Sequence, residues 1–246
     1  MMNNLRDHPF AVHAWFDYSC TLTFALPKDE IGCRLPANLQ PDTFQDTWGF
    51  LAVAIVKTRQ LRPAGFPACL GHNFVLIGYR YFVRYSSHSG RNLRGLYIIR
   101  SETDQRKMAF LGNIFTRYRY VTTDVSVKKA AEIFHITSAQ SGIKITADLA
   151  GDRALPASSP FSNWQEARKF SGPLPFTFSH DAEKKRMVVV EGVRADWKPR
   201  PIHVVDYAIP YLSEIGHANA VLANAFIVEN IPYHWKKGVI EPCLMP

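Results

Sequence analysis

Four arginines, Arg80, Arg84, Arg117 and Arg119, sit in two tyrosine-rich segments, FVLIGYRYFVRY and TRYRYVTT, with no acid before Asp124 in either. A guanidinium stays charged at any accessible pH and presents a planar fork of donors that fits a carboxylate or a phosphate. Residues two apart on a strand point to one side. Arg117 and Arg119 are therefore expected to clamp an anion, with Arg80 and Arg84 as a second pair on another strand. Asn73 and Tyr118 adjoin these pairs and complete the expected ligand-binding set. An arginine set beside Phe74, Leu76 and Phe82 without a partner costs several kcal/mol, so an external anion is the more economical counterion. His72 opens the first segment, and an imidazole there is the candidate general acid or base. The competing arrangement is an exposed strand face whose arginines pair with acids such as Asp104.

Other chemistries find little footing. The nine histidines are singletons without the spacing of a zinc site, so no metal is expected. No GxSxG, GxGxxG or P-loop run occurs, and no cofactor is expected. Asp17, Glu102, Asp104, Asp206 and Glu229 show no pairing into an acid and a base. Cys20, Cys33, Cys69 and Cys243 are scattered, which reads as reduced thiols in a cytoplasmic protein. The start of the chain lacks an apolar leader, and no stretch has the length of a membrane span. The net charge of +8 is dispersed, its densest runs being RYRY, EKKR and HWKK. It fits a basic surface around a small-molecule site better than a nucleic-acid partner. Assembly into a homo-oligomer is left open.

The elements that must position these residues read mostly as strands. In His72–Tyr85 the residues Val75, Ile77, Tyr79, Tyr81 and Val83 form an apolar back. Phe74, Leu76, Gly78, Arg80, Phe82 and Arg84 form a mixed front, as the wall of an anion-tolerant cavity would. Trp15–Leu26, Trp48–Thr58, Thr116–Val127, Ser141–Leu149, PIHVVDY and FIVENIPY also read as strands, and PLPFTFSHDAEKKRMVVVEGVR reads as a hairpin. VKKAAEIFHI reads as a short helix or the return strand of a hairpin, and the β-branched residues on either side favour the strand. Helices are expected over SETDQRKMAFLGNIF, over SNWQEARKF with Ser162 as its cap, and over YLSEIGHANAVLANAF. The last of these carries Leu212, Ile215, Ala218 and Val221–Leu222 at helical spacing. Strands outnumber helices without βα alternation, and GDRALPASSP is the most loop-like piece. The expectation is one α+β domain over residues 1–246, built on a large, mainly antiparallel sheet closed into a barrel.

The order of LPANLQPDTFQDTWGFLAVAIV, HNFVLIGYRYFV, RGLYIIRSETDQRKMAFLGNIFTRYRYV and VENIPYHW resembles the acetoacetate decarboxylase-like superfamily, and within it the YqjF-like branch. The resemblance spans nearly the whole chain and implies a cone-shaped barrel around a small-molecule cavity. It also implies a lyase-like site in which a lysine, activated by a second lysine, forms a Schiff base. Here the matching segment, Gly112 to Tyr120, carries Arg117 and Arg119 where the lysines should stand, and Phe74 stands where a glutamate should. Arginine forms no useful imine, and Lys107 lies in the preceding helix. The expected function is binding or lyase-like turnover of an organic acid or other anion inside the barrel, without Schiff-base chemistry. The alternative is a non-catalytic module whose basic surface meets a protein or polyanion.

Overall fold

The computed structural model of the chain describes residues 2–151, 154–170, 174–195 and 197–243. Its strands are β1 Val12–Pro27, β2 Leu39–Pro41, β3 Trp48–Pro63, β4 His72–Ser86, β5 Asn92–Thr103, β6 Tyr120–Thr122, β7 Ser126–Ala130, β8 Ile133–Thr137 and β9 Lys144–Asp148. They continue with β10 Phe176–Asp181, β11 Arg186–Arg194, β12 Arg200–Pro201, β13 His203–Ala208, β14 Val221–Trp235 and β15 Val239–Pro242. The α-helices are short: α1 Lys28–Gly32, α2 Arg106–Phe115, α3 Trp164–Ala167 and α4 Pro210–Glu214.

Strands β14, β1, β3, β4, β5, β10 and β11 pair in that order, and β11 returns to β14 to close a ring. All the joints are antiparallel except β5–β10, where Phe176–Phe178 run parallel to Gly95–Tyr97. The fold is thus an α+β, mainly antiparallel closed barrel, as the alternating patterns imply. A separate sheet, ordered β13-β9-β8-β7, lies against its outside. Phe134, Ile136, Ile145 and Ala147 of that sheet share a core with Cys20, Leu22, Ile55, Ile77 and Tyr79 of the ring. The expected back of β4 is therefore buried under the second sheet, and its mixed front faces inward. One end of the ring is packed by Phe161 and Phe170, from around α3, against Phe50 and Phe82.

Two registers bear on the inner wall. A bulge between Tyr79 and Arg80 leaves Ile99 of β5 without a partner, since Tyr79 pairs with Arg100 and Arg80 with Ile98. The extra residue re-aims the strand, so Ile98 and Ser101, three apart, both face inward. A second irregularity lies between Thr58 and Leu61 of β3, where the Gln60 amide donates to Asn73 Oδ1 at 2.9 Å.

The helix expected over 211–226 is not formed. Its first turn exists as α4, but the chain leaves it at Gly216, whose φ is +77°, and Val221 onward is β14. Leu222 to Val228 are all buried, Leu222, Ala225 and Ile227 in the core shared with the outer sheet, and Ala223, Phe226 and Val228 in other clusters. A continuous apolar run suits a strand covered on both faces as well as it suits a helix, and ring closure decided between them. The cap of α3 is Asn163 rather than Ser162, with the Glu166 amide donating to Asn163 Oδ1 at 3.0 Å. The hairpin Ser126–Thr137 bears out the strand reading of VKKAAEIFHI. Residues 152 and 153 of the expected loop lie outside the described residues, as do 171–173 ahead of the β10–β11 hairpin.

Candidate functional site

The ring holds a partly open cavity of about 230 Å³. Inward residues of β1, β3, β4, β5, β10 and β14 form its wall, among them Thr21, Ala54, Leu76, Thr177 and Tyr233. Helix α2 and the segment after it roof it with Met108, Leu111, Phe115, Tyr118 and Tyr120, and the N-terminal segment adds His8 and Phe10. No carboxylate and no lysine stands among the described residues that line it.

Arg80 is the charge in this lumen. It comes from the middle of β4, and its guanidinium folds back over Gly78. A β-carbon at that position would lie 2.7 Å from Nη2 and 2.8 Å from Nε, so the glycine makes the room. The Nε is buried without a hydrogen-bond partner. Burial opposes its charge, and the ionisable groups that act on it are Tyr233, Tyr120 and Tyr118 rather than any carboxylate. Such a cation still stays protonated, and a desolvated, unpaired charge is costly. The accessible surface that Arg80 retains belongs to the lumen it lines. Burial raises the phenols of Tyr118 and Tyr120, the latter to about 12, so both hydroxyls stay neutral and able to donate hydrogen bonds.

The other sequence-identified arginines are engaged elsewhere. Arg84 Nε donates to Asp42 Oδ1 at 2.8 Å, and Arg94 bonds the second oxygen of this fully buried carboxylate. Arg117 pairs with Asp181 at 2.6 Å and with Asp7 at 3.4 Å. Arg186 bonds the same two acids at 3.0 and 2.7 Å, respectively. Arg119 is exposed, with φ of +52°, and the strand resumes only at Tyr120, so Arg117 and Arg119 share no strand face. The expectation that an external anion neutralises all four fails for Arg84 and Arg117, because acids distant in sequence reach them. Asn73 is exposed and holds the β3 irregularity. His72 does line the cavity rim, its pKa lowered by burial and by the charge of Lys107. Of the expected ligand-binding set, Arg80 and Tyr118 meet in the lumen.

His8 and Tyr233 escaped the sequence reading as lumen residues. Tyr233 carried a signal, its place in an aromatic strand, but His8 carried none. Its φ is +54°, its amide donates to the Phe115 carbonyl at 3.0 Å, and its own carbonyl accepts from the Gly238 amide at 2.8 Å. Burial lowers its pKa to about 4. Between the ordinary histidine value of 6.5 and that one, the unfolded chain binds a proton that the folded one refuses, so stability falls as the pH drops through this window. The loss is expected to reach roughly 2–3 kcal/mol between about pH 7 and pH 4.5. His8→Asn, which tolerates positive φ, should flatten the slope. Urea midpoints of the two proteins across that range measure the difference, and parallel curves would refute it.

Among the described residues no group of three or more His, Cys, Asp or Glu side chains could hold a metal ion, and no helix is long and apolar enough to cross a membrane.

Residues 14–224 match the family DUF2071, described as "Uncharacterized conserved protein (COG2071)". The chain belongs to this family. No curated protein matches this DUF2071 chain, whereas several solved structures share its fold. An acetoacetate decarboxylase-like enzyme from Sphingomonas wittichii RW1 superposes with a TM-score of 0.59 at 13% identity, over 98% of this chain and 96% of its own. The acetoacetate decarboxylase of Legionella pneumophila subsp. pneumophila str. Philadelphia 1 gives 0.56 at 9% identity, over 93% and 86%. The enduracididine biosynthesis enzyme MppR, complexed with the condensation product of pyruvate and imidazole 4-carboxaldehyde, gives 0.55 at 11%, over 94% and 89%. This DUF2071 chain is thus acetoacetate decarboxylase-like in fold.

Proposed function

We propose that the protein binds a small organic anion in the lumen of a single barrel domain, with Arg80 as its anchor and without a lysine Schiff base. The observation that carries this reading is a desolvated guanidinium with no acid beside it. A carboxylate on Arg80 would satisfy the buried donors, and the neutral Tyr118 and Tyr120 hydroxyls could take its remaining lone pairs. The pyruvate condensation product held by MppR supports a ligand of this class in a barrel of this fold. The cavity wall without a lysine supports the absence of imine chemistry. Arg117 and Arg186 are neutralised by Asp7 and Asp181, and Arg84 and Arg94 share the carboxylate of Asp42, which weakens the alternative of a basic docking surface. The shared core of the two sheets supports one folding unit.

The test is calorimetric titration of acetate and pyruvate into the wild type, Arg80→Ala and Arg119→Ala. Wild type and Arg119→Ala are expected to bind at millimolar concentration or tighter, and Arg80→Ala to lose it. Equal weak binding in all three that fades with salt would mean a basic surface only. Borohydride in the presence of acetoacetate is expected to leave no lysine adduct by mass spectrometry.

A further inference from the structure

The charge count, shape and size of the lumen narrow the ligand class. Among the described lining residues, Arg80 is the one cation with a buried donor left unmet, its Nε. Arg62, at the rim, already donates Nε to the Phe66 carbonyl at 3.0 Å and Nη1 to that of Gln60 at 2.8 Å. His8 and His72 both titrate below the ordinary histidine value, so near neutral pH they bring no charge. Arg62 keeps its charge but sits at the rim, so a dianion seated on Arg80 beneath α2 would carry one negative charge that no second buried cation neutralises.

The wall along β4 and beneath α2 is mostly apolar, Thr58, paired with Phe74, and Thr116 being its nearby hydroxyls. From the guanidinium over Gly78, the inward positions of β4 run through Leu76 and Phe74 to His72, each step being about 7 Å. Met108, Leu111 and Phe115 cover this path from α2. An apolar cavity of about 150 Å³ takes up benzene. A cavity of about 230 Å³ has room for a carboxylate and a tail of about five carbons.

We propose that the ligand is a monocarboxylate with an apolar tail, its carboxylate on Arg80 and its tail along Leu76 and Phe74 beneath α2. This rests on the anion reading above and adds the charge and the tail to it. Leu76, Phe74, Met108, Leu111 and Phe115 offer a hydroxyl chain or second carboxylate no partner, whereas each buried methylene gains about fourfold in affinity.

The experiment is a series of acetate, butyrate, hexanoate and octanoate, with succinate and inorganic phosphate, titrated into the wild-type protein. Calorimetry is paired with intrinsic fluorescence, since Trp197 and Trp235 line the cavity. Affinity is expected to rise about fourfold per methylene up to hexanoate and then level off. Succinate and phosphate should bind at least tenfold more weakly than butyrate. Leu76→Trp should bring hexanoate down to the affinity of acetate. A flat series, or succinate or phosphate matching hexanoate, overturns the assignment. Arg80-dependent acetate binding in that case would leave the anion site standing. No binding by any member, or unchanged binding in Arg80→Met, removes both.

Discussion

Replacing Arg80 with methionine is expected to stabilise the fold while abolishing anion binding. A residue kept for packing or ion pairing destabilises when truncated, because it leaves a partner behind. Arg80 has no acid to leave: its Nε is unmet, and burial opposes its charge. Methionine keeps much of the unbranched length, fills irregular space and needs no hydrogen bond. Removing an uncompensated charge from such a site is expected to raise the unfolding free energy by about 1–3 kcal/mol. Losing the cation of a buried, hydrogen-bonded pair costs about 2–5 kcal/mol of binding, so affinity for acetate should fall at least about thirtyfold. Chemical denaturation and calorimetry on the same preparation read both quantities. A variant that is less stable than the wild type would show that Arg80 is structural.

Asp181→Ala is expected to destabilise the protein by about 3–5 kcal/mol. Asp181 Oδ2 accepts from Arg117 Nη2 at 2.6 Å and Arg186 Nε at 3.0 Å, while Oδ1 accepts from the Lys184 amide at 3.3 Å. Burial alone would raise its pKa, but the Arg186 hydrogen bond and the Arg117 charge outweigh it, and the carboxyl titrates below its ordinary value. Removing it leaves Arg117 and Arg186 to share Asp7, so one of two largely buried positive charges goes uncompensated. The tie among three separate pieces, the N-terminal turn carrying Asp7, the segment after α2 and the β10–β11 hairpin, then rests on Asp7 alone. Guanidinium chloride midpoints against the wild type check the value. A loss below about 1 kcal/mol would place the cluster with ordinary surface pairs.

Much of the barrel was legible because its strands alternate. Val75, Ile77, Tyr79 and Tyr81 of β4 lie in the core behind the wall, and Phe74, Leu76 and Arg80 face the lumen, as the period of two dictates. Periodicity failed where a strand is covered on both faces, so 221–226 imitated a helix. The arginines show a second kind of blindness. Arg80 and Arg84 are four apart on one strand, yet Asp42 reaches Arg84 and no acid reaches Arg80. Asp7 and Asp181 reach Arg117 from 110 and 64 residues away. Local composition states which residues are charged; the partners arrive through ring closure and cannot be read from spacing. Arg119 failed for a backbone reason, its positive φ breaking the strand that would have aligned it with Arg117.

A ring spends its strand edges on itself, but the small outer sheet keeps two. Its order leaves β7 and β13 at the margins, where unpaired amides invite a strand from another molecule. Strand β7 presents Lys128 and Lys129 to solvent, so a second β7 laid alongside would meet like charges. Strand β13 is broken by an irregularity between Val204 and Asp206, with Val205 exposed at the break; the kink interrupts the straight run of donors that an incoming strand needs. Both margins therefore resist fibre-like stacking, and the sheet can cover the barrel without recruiting a neighbour.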